Sequence, residues 1–378
     1  MAAKAGAAGA LASLGMSGTA AATPEARQVS GHGPDDDEMF DVDAVENGAW
    51  APGPYGPDDQ RGSFNEITPA TTAAALGLLT PGRPVRTYNL GDLMFNGYPA
   101  YVTAPPRVYE QRLTVLGYQP PPEFFAEQGI LQSPAPLGPN RISAHEERFP
   151  AGGTYQIATQ LDNLAHVGVG EMFYNGFTGP EIAAGHGTTK LGNEHMGPIV
   201  TRGVVIDVLG LKVARGASDA YFLADNGEPV LNDGYRITVA DIEAALRRQR
   251  VDGPAPGDVV LFRTGWHHLV RLDPDRYLAG EPGIYLREAR YLARKRPALI
   301  GSDTWALESL NPDVTQDNMF PVHQELFMRF GIRIGEGIIT DTLVDDDVYE
   351  FVYLFTPQFA EGATAANSAP AALAQPRR

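Results

Sequence analysis

Five short runs of β-branched and aliphatic residues, each fenced by turn residues, constrain this chain more than any other feature. They are Ile199 to Leu209, Asp258 to Arg263, Ala298 to Ile300, Ile332 to Ile339 and Tyr349 to Phe355. Each is apolar almost without interruption, the pattern of a strand covered on both faces. Helical segments alternate with them. Thr238 to Arg250 opens with an N-cap candidate in Thr238 and has Asp241 three residues on, as in a capping box. Ile242, Ala245 and Leu246 follow at helical spacing. Leu286 to Arg296 and Pro321 to Phe330 are the other helical segments. Strands and helices mixed in this way predict an α/β or α+β domain. No internal repeat is visible, which argues against a solenoid or propeller.

Forty-two Gly and 31 Pro spread over 378 residues imply many turns and long ordered loops. Trp50 to Pro69 reads as loop, Thr71 to Leu79 as a short helix stopped by Pro81-Gly82, and residues 99 to 150 as a proline-rich wrap over the surface. A formal net charge of −17 argues against nucleic acid as a partner, because that binding needs clustered Lys and Arg. The densest basic run, Arg287 to Arg296, has helical spacing and reads as a solvated helix face. With no cysteine there are no disulfides, thiolate metal sites or cysteine nucleophiles. No stretch reaches the ~18 apolar residues of a membrane span. Residues 1–45 read either as an Ala/Gly tail or as a truncated export signal with small residues near Ala20 to Ala22, so cytoplasmic and exported locations stay equally open. Asp35 to Glu38 reads as a solvated acidic run. The expected domain is 46–360, with an Ala/Pro-rich tail over 361–378.

The chemistry concentrates in Gly152 to His166. Asp162 and His166 stand four apart and would share a face of a helical turn. Gln156, Gln160 and Asp162 stand at even spacing and would share a side of a strand. Either geometry puts a carboxylate beside an imidazole that titrates near neutral pH. Alone, such a pair is more simply an Asp–His hydrogen bond that buttresses a turn. Ser143, Ser302 and Ser309 lack a Gly-x-Ser-x-Gly elbow, and no phosphate-cradling glycine motif is present. His186 and His195 lie in a Gly-rich stretch that reads as loop surface or a lid. His267-His268 read as capping a strand end, and His145 as solvated.

The segment Gln156-Ile157-Ala158-Thr159-Gln160-Leu161-Asp162-Asn163-Leu164-Ala165-His166 resembles the Gly-Thr-His-x-Asp-x-Pro-x-His signature of the cyclase family of metal-dependent hydrolases. That family includes bacterial kynurenine formamidase and isatin hydrolase. Thr159, Asp162 and His166 match; Gln156 and Gln160 stand at the two histidine positions, Ala158 replaces Gly and Leu164 replaces Pro. Further ordered segments are similar to the family. They are Tyr55 to Gly62, Phe173 to Gly176, Pro198 to Val208, Gly257 to Trp266, Gly301 to Thr304, His323 with Leu326, and Glu336, so the likeness spans residues 50–356.

The resemblance implies a swivelling β/β/α-type fold, assembly as a homodimer or larger oligomer, and a small-molecule substrate. It also implies hydrolysis of an amide, lactam or lactone by metal-activated water, in the manner of an arylformamidase. It places metal ligands at Gln156, Gln160, Asp162, His323 and Glu336, with His166 and Glu336 as proton-transfer groups. Tyr174, Arg263 and His186 are the substrate-pocket candidates. Two amides in place of two imidazoles would weaken zinc binding. The cofactor expected is therefore a divalent ion, Mn or Zn first, then Mg or Ca. Two other readings stay open: a non-catalytic small-molecule binder, and a metal-free lyase or isomerase using Asp162 and His166.

Overall fold

The structure, a computed structural model, describes residues 39–117, 131–133, 139–149, 153–311 and 318–376. The signal-like segment and the Asp35 to Glu38 run lie outside the described residues.

The apolar runs become the middle of a nine-stranded sheet. Its strands, in chain order, are β1 (Arg86–Asn89), β2 (Gln160–Asp162), β3 (Ile199–Asp207), β4 (Val259–Arg263), β5 (Leu299–Ser302), β6 (Arg333–Glu336), β7 (Glu350–Phe355), β8 (Ala365–Ala366) and β9 (Ala371–Ala374). The spatial order is β1-β9-β7-β3-β4-β5-β6-β2-β8. β3, β4, β5 and β6 run parallel, and antiparallel strands extend the sheet on both sides. The parallel strands are covered on both faces, as their near-continuous apolarity requires. Val204, Ile206, Val260, Phe262, Ile300 and Ile334 pack into one core with Ile242, Ala245, Ala289 and Leu292 from the helices Val239–Gln249 and Leu286–Ala293. Val205, Val259, Leu261 and Leu299 point the other way, against Tyr88, Phe351 and Tyr353. Each such side chain withdrawn from water contributes about 1.5–3 kcal/mol before entropy is counted. The helix at Val239 starts as expected, with Thr238 and Asp241 capping each other reciprocally.

Several expectations need correction. Residues 361–376 are no tail. β9 lies between β1 and β7, with Ala372 opposite both Tyr88 and Tyr353, and β8 pairs with β2. Alanine fits there because its neighbours across the sheet are large. The N-terminal boundary also moves: Val42–Glu46 is a helix capped by Asp41, with Val45 buried. Residues 99–150 are more than a wrap, since Arg112–Leu116 pairs with Leu131–Ser133 and Ala144–Arg148 in a three-stranded sheet. The basic helix face is not wholly solvated: Arg290 is buried and makes two hydrogen bonds to Glu325, at 3.0 and 3.1 Å. The helix at Pro321 keeps α form only through Gln324 and widens to a π turn over Glu325–Arg329. Such widened turns occur often at functional sites.

Candidate metal centre

The 156–166 segment resolves as strand and turn. In β2, Gln160 and Asp162 project to one side, and antiparallel register sets Gln160 opposite Glu336 of β6. His166 closes the turn that follows, its N–H donating to the Asn163 carbonyl. Ala158 holds φ +56°, a backbone that favours glycine, at the position where the family signature has Gly. The Ala158 carbonyl lies against Gly337, whose own φ is +57°.

On this scaffold Asp162, Glu336 and His323 converge, each buried, with ligand-type atoms all within 4.8 Å of one another. His323 Nε2 lies 3.2 Å from Glu336 Oε1 and 3.8 Å from Asp162 Oδ2, and His166 Nε2 lies 3.6 Å from the same Asp162 oxygen. The other nitrogen of His323, Nδ1, is 2.5 Å from Glu308 Oε1. Glu308 also accepts the backbone N–H groups of Val322 and His323, so the imidazole is held in one orientation with Nε2 facing inward.

Donors and acceptors are mismatched here. Gln160 Nε2 faces Gln156 Oε1 at 2.8 Å, Asp162 Oδ1 at 3.2 Å and Glu336 Oε2 at 2.6 Å, three acceptors for two hydrogens. Asp162 Oδ2 is buried with no hydrogen-bond partner among the described residues, as is Gln156 Nε2. An unsatisfied buried carboxylate oxygen is costly, and charge of the opposite sign is what relieves it.

The titrating groups register that imbalance. Burial alone would lower His323, but its hydrogen bonds to Glu308 and Glu336 and their charges push it up to about 10. Glu336 is pushed up by burial and then by the charge of Asp162. His166 is held below the usual histidine value, chiefly by burial, so it is neutral at pH 7. Protons therefore offset part of the negative charge, and a divalent cation is the other species that can do so. The donor set, two carboxylates and an imidazole with amide oxygens a half-turn away, suits such an ion.

The site expectations separate cleanly. Gln156, Gln160, Asp162, His166, His323 and Glu336 come together. Tyr174 is fully buried and donates to Asp59 at 2.8 Å. Arg263 pairs with Asp341 and Asp207. His186 is exposed beside Glu361. These three pocket candidates thus sit in other contacts, and none of their described bonds reaches the cluster. Two residues went unnoticed: Glu308, and the fully buried Glu281, whose carboxylate accepts the N–H groups of Trp305 and Ala306. Their available signal was a lone carboxylate in otherwise uncharged sequence, as in Trp305-Ala306-Leu307-Glu308.

Likeness to known proteins bears on the family and the fold. The family model described as "Putative cyclase" matches residues 110–309, just over half of the chain. That stretch takes in Asp162, His166, Glu281 and Glu308 and ends before His323 and Glu336. No curated protein matches the sequence. Among solved structures, one described as a novel cyclase is 29% identical with a TM-score of 0.66, over 85% of this chain and 98% of its own. Isatin hydrolase A from Ralstonia solanacearum is 16% identical with a TM-score of 0.52, over 77% and 92%. Isatin hydrolase A from Labrenzia aggregata, bound to benzyl benzoate, is 16% identical with a TM-score of 0.51, over 77% and 94%. At those identities the two isatin hydrolases share the fold.

Proposed function

Because the chain belongs to the Cyclase family, we propose that it is a metal-dependent hydrolase that cleaves an amide, lactam or lactone bond of a small aryl or cyclic substrate. One observation carries the reading: the buried, unpartnered Oδ2 of Asp162, facing His323 and Glu336. Asp162, His323 and Glu336 would hold the ion. Gln156 and Gln160 would complete the shell through amide oxygens after a half-turn of their terminal torsions. Oxygen donors favour Mn²⁺ over Zn²⁺. When bound, a divalent ion supplies a water of lowered pKa and a Lewis acid for the substrate carbonyl.

The chain's own residues do the rest. Asp162 and Glu336 fix the position of the charge, and Glu308 fixes the tautomer of His323. Neutral His166, 3.6 Å from Asp162, is placed to take a proton at Nε2 and return it to the departing nitrogen or oxygen. Burial around the cluster keeps bulk water from screening these charges. We extend the proposal to assembly as a homodimer or larger homo-oligomer. No helix among the described residues is long and apolar enough to cross a membrane.

A metal-free acid–base reaction by Asp162 and His166 is the second reading, favoured by the Gln160 amide lying between the two carboxylates. One experiment separates them: assay an aryl formamide, an aryl lactam and an aryl lactone with protein treated with chelator and then resupplied with Mn²⁺ or Zn²⁺. Hydrolysis that vanishes on chelation and returns with the ion supports the first reading. Turnover indifferent to chelator contradicts it.

A further inference from the structure

Beside the cluster lies a group of rings that no step above uses. Tyr101 stacks on Trp305 with centroids 5.3 Å apart and planes 20° apart. Phe320 meets both edge-on, at 5.5 Å from Tyr101 and 6.4 Å from Trp305. Phe320 also lies edge-on to the imidazole of His323, centroids 5.5 Å apart. The three rings are half-buried, whereas His323 beneath them is buried. Phe320 holds φ +52°, so its backbone is set in a conformation that large side chains seldom take, directly before the helix that carries His323. Aromatic faces and edges in this arrangement receive a planar ring well.

The guanidinium of Arg107 lies over the Tyr101 ring, 5.9 Å from its centroid. A cation stands out in this setting. The chain carries a net charge of −17, and Asp162, Glu281, Glu308 and Glu336 line the interior. An anionic ligand would be repelled by that charge unless a fixed cation met it. A guanidinium, planar and permanently charged, pairs with carboxylate or sulfonate through two parallel N–H bonds.

We propose that Tyr101, Trp305 and Phe320 form an aryl-binding subsite beside His323, and that Arg107 selects aryl compounds bearing an acidic group. The proposal rests on reading the Asp162 cluster as the reacting centre, but its test is a binding measurement that needs no turnover. Benzenesulfonate, the neutral methyl phenyl sulfone of similar shape, and methanesulfonate are titrated calorimetrically into metal-replete wild type, Arg107→Gln and Arg107→Lys. Sulfonate is a weak metal ligand, so the comparison reports on Arg107 and the rings and not on the ion. The expected result is benzenesulfonate binding at least about tenfold more tightly than the sulfone in wild type. That preference should disappear in Arg107→Gln, with sulfone affinity unchanged, and partly survive in Arg107→Lys. Equal affinity for sulfonate and sulfone in wild type, or equal loss of both in Arg107→Gln, overturns the assignment to Arg107. Methanesulfonate binding as tightly as benzenesulfonate overturns the aryl subsite. Failure of hydrolysis in the formamide, lactam and lactone assay, with the sulfonate preference intact, would reject the hydrolase reading and leave the subsite standing.

Discussion

Among the described residues, two histidine–carboxylate clusters are built from the same residue types and differ in how their charges are met. In the second, His267 Nε2 lies 2.7 Å from Asp341 Oδ2 and His267 Nδ1 lies 3.4 Å from Asp303 Oδ2. Arg263 donates to the remaining oxygen of Asp341 at 2.6 Å. Asp303 accepts the N–H groups of Thr264 and Gly265 and the Thr264 hydroxyl. Both oxygens of both carboxylates are engaged, and the ligand-type atoms of His267, His268 and Asp341 lie as close together as those of the Asp162 cluster. Around Asp162, by contrast, an oxygen is left over and no arginine makes a direct ion pair with the carboxylates among the described residues. Proximity of ligands is common to both clusters. A buried carboxylate oxygen without a hydrogen bond belongs to the first of the two alone, and such an oxygen favours a cation.

The sharpest way to break this contrast is to truncate one carboxylate in each cluster. Asp162→Ala is expected to reduce kcat/KM by about a thousandfold or more while leaving stability nearly unchanged or raised, since it removes an unsatisfied buried oxygen. Asp341→Ala is expected to do the reverse. Activity would stay within severalfold, and unfolding in urea would show a loss of about 2 kcal/mol, because Arg263 and His267 lose a partner. Comparable effects of the two variants on both readouts would erase the distinction.

Glu308→Gln probes the orientation of His323. Metal affinity should fall about 10–100-fold, as measured by competition with a chelating dye, with the fold intact by circular dichroism. An unchanged affinity would mean that Glu308 does not set the imidazole. Restoring histidines, Gln156→His with Gln160→His, should move preference from Mn²⁺ toward Zn²⁺ by about tenfold or more. A double variant with unaltered metal preference would remove the amides from the ligand shell.

The smallest effect expected is a pH dependence of stability in the second cluster. Hydrogen bonds and charges from Asp303 and Asp341 push His267 up to about 10 against the effect of burial. Its folded value thus exceeds the unfolded one. The stabilisation is complete below about pH 6.5 and is lost as pH rises through about 10. Urea midpoints should fall in wild type as pH rises from 7 to 10.5. The fall should be markedly shallower in His267→Gln. Parallel slopes in the two proteins would show that His267 is not the titrating group.

How much of this is legible in the sequence follows from where the interactions lie along the chain. The parallel strands were readable because each is a local apolar run, and the helix at Val239 because its cap, box and apolar face all fall within thirteen residues. Asp162 and His166 were readable as a local pair and as part of a family signature. The approach of Glu336 to Gln160 and Asp162 depends on antiparallel register between β2 and β6, with Gln160 and Glu336 176 residues apart, which no local pattern specifies. Only the order of the family motifs pointed to it. Ala365–Ala366 and Ala371–Ala374 read as a tail because alanine carries little strand signal, and what holds them is backbone pairing, the first with Leu161 and Asp162 and the second beside Tyr88 and Tyr353. Tyr174 and Arg263 were assigned to a pocket by motif position, yet their polar atoms are committed to Asp59 and to Asp341 and Asp207. Composition says which groups are available. Saturation of their partners decides which of them stay reactive.

The central claim is that unmet negative charge at Asp162 holds a divalent ion. Elemental analysis of untagged wild type, Asp162→Ala and Asp341→Ala, purified without chelators, tests it most directly. The account predicts about one equivalent of Mn or Zn in wild type and in Asp341→Ala and none in Asp162→Ala. Equal metal in wild type and Asp162→Ala, or none in wild type even after addition of Mn²⁺ and Zn²⁺, would contradict it.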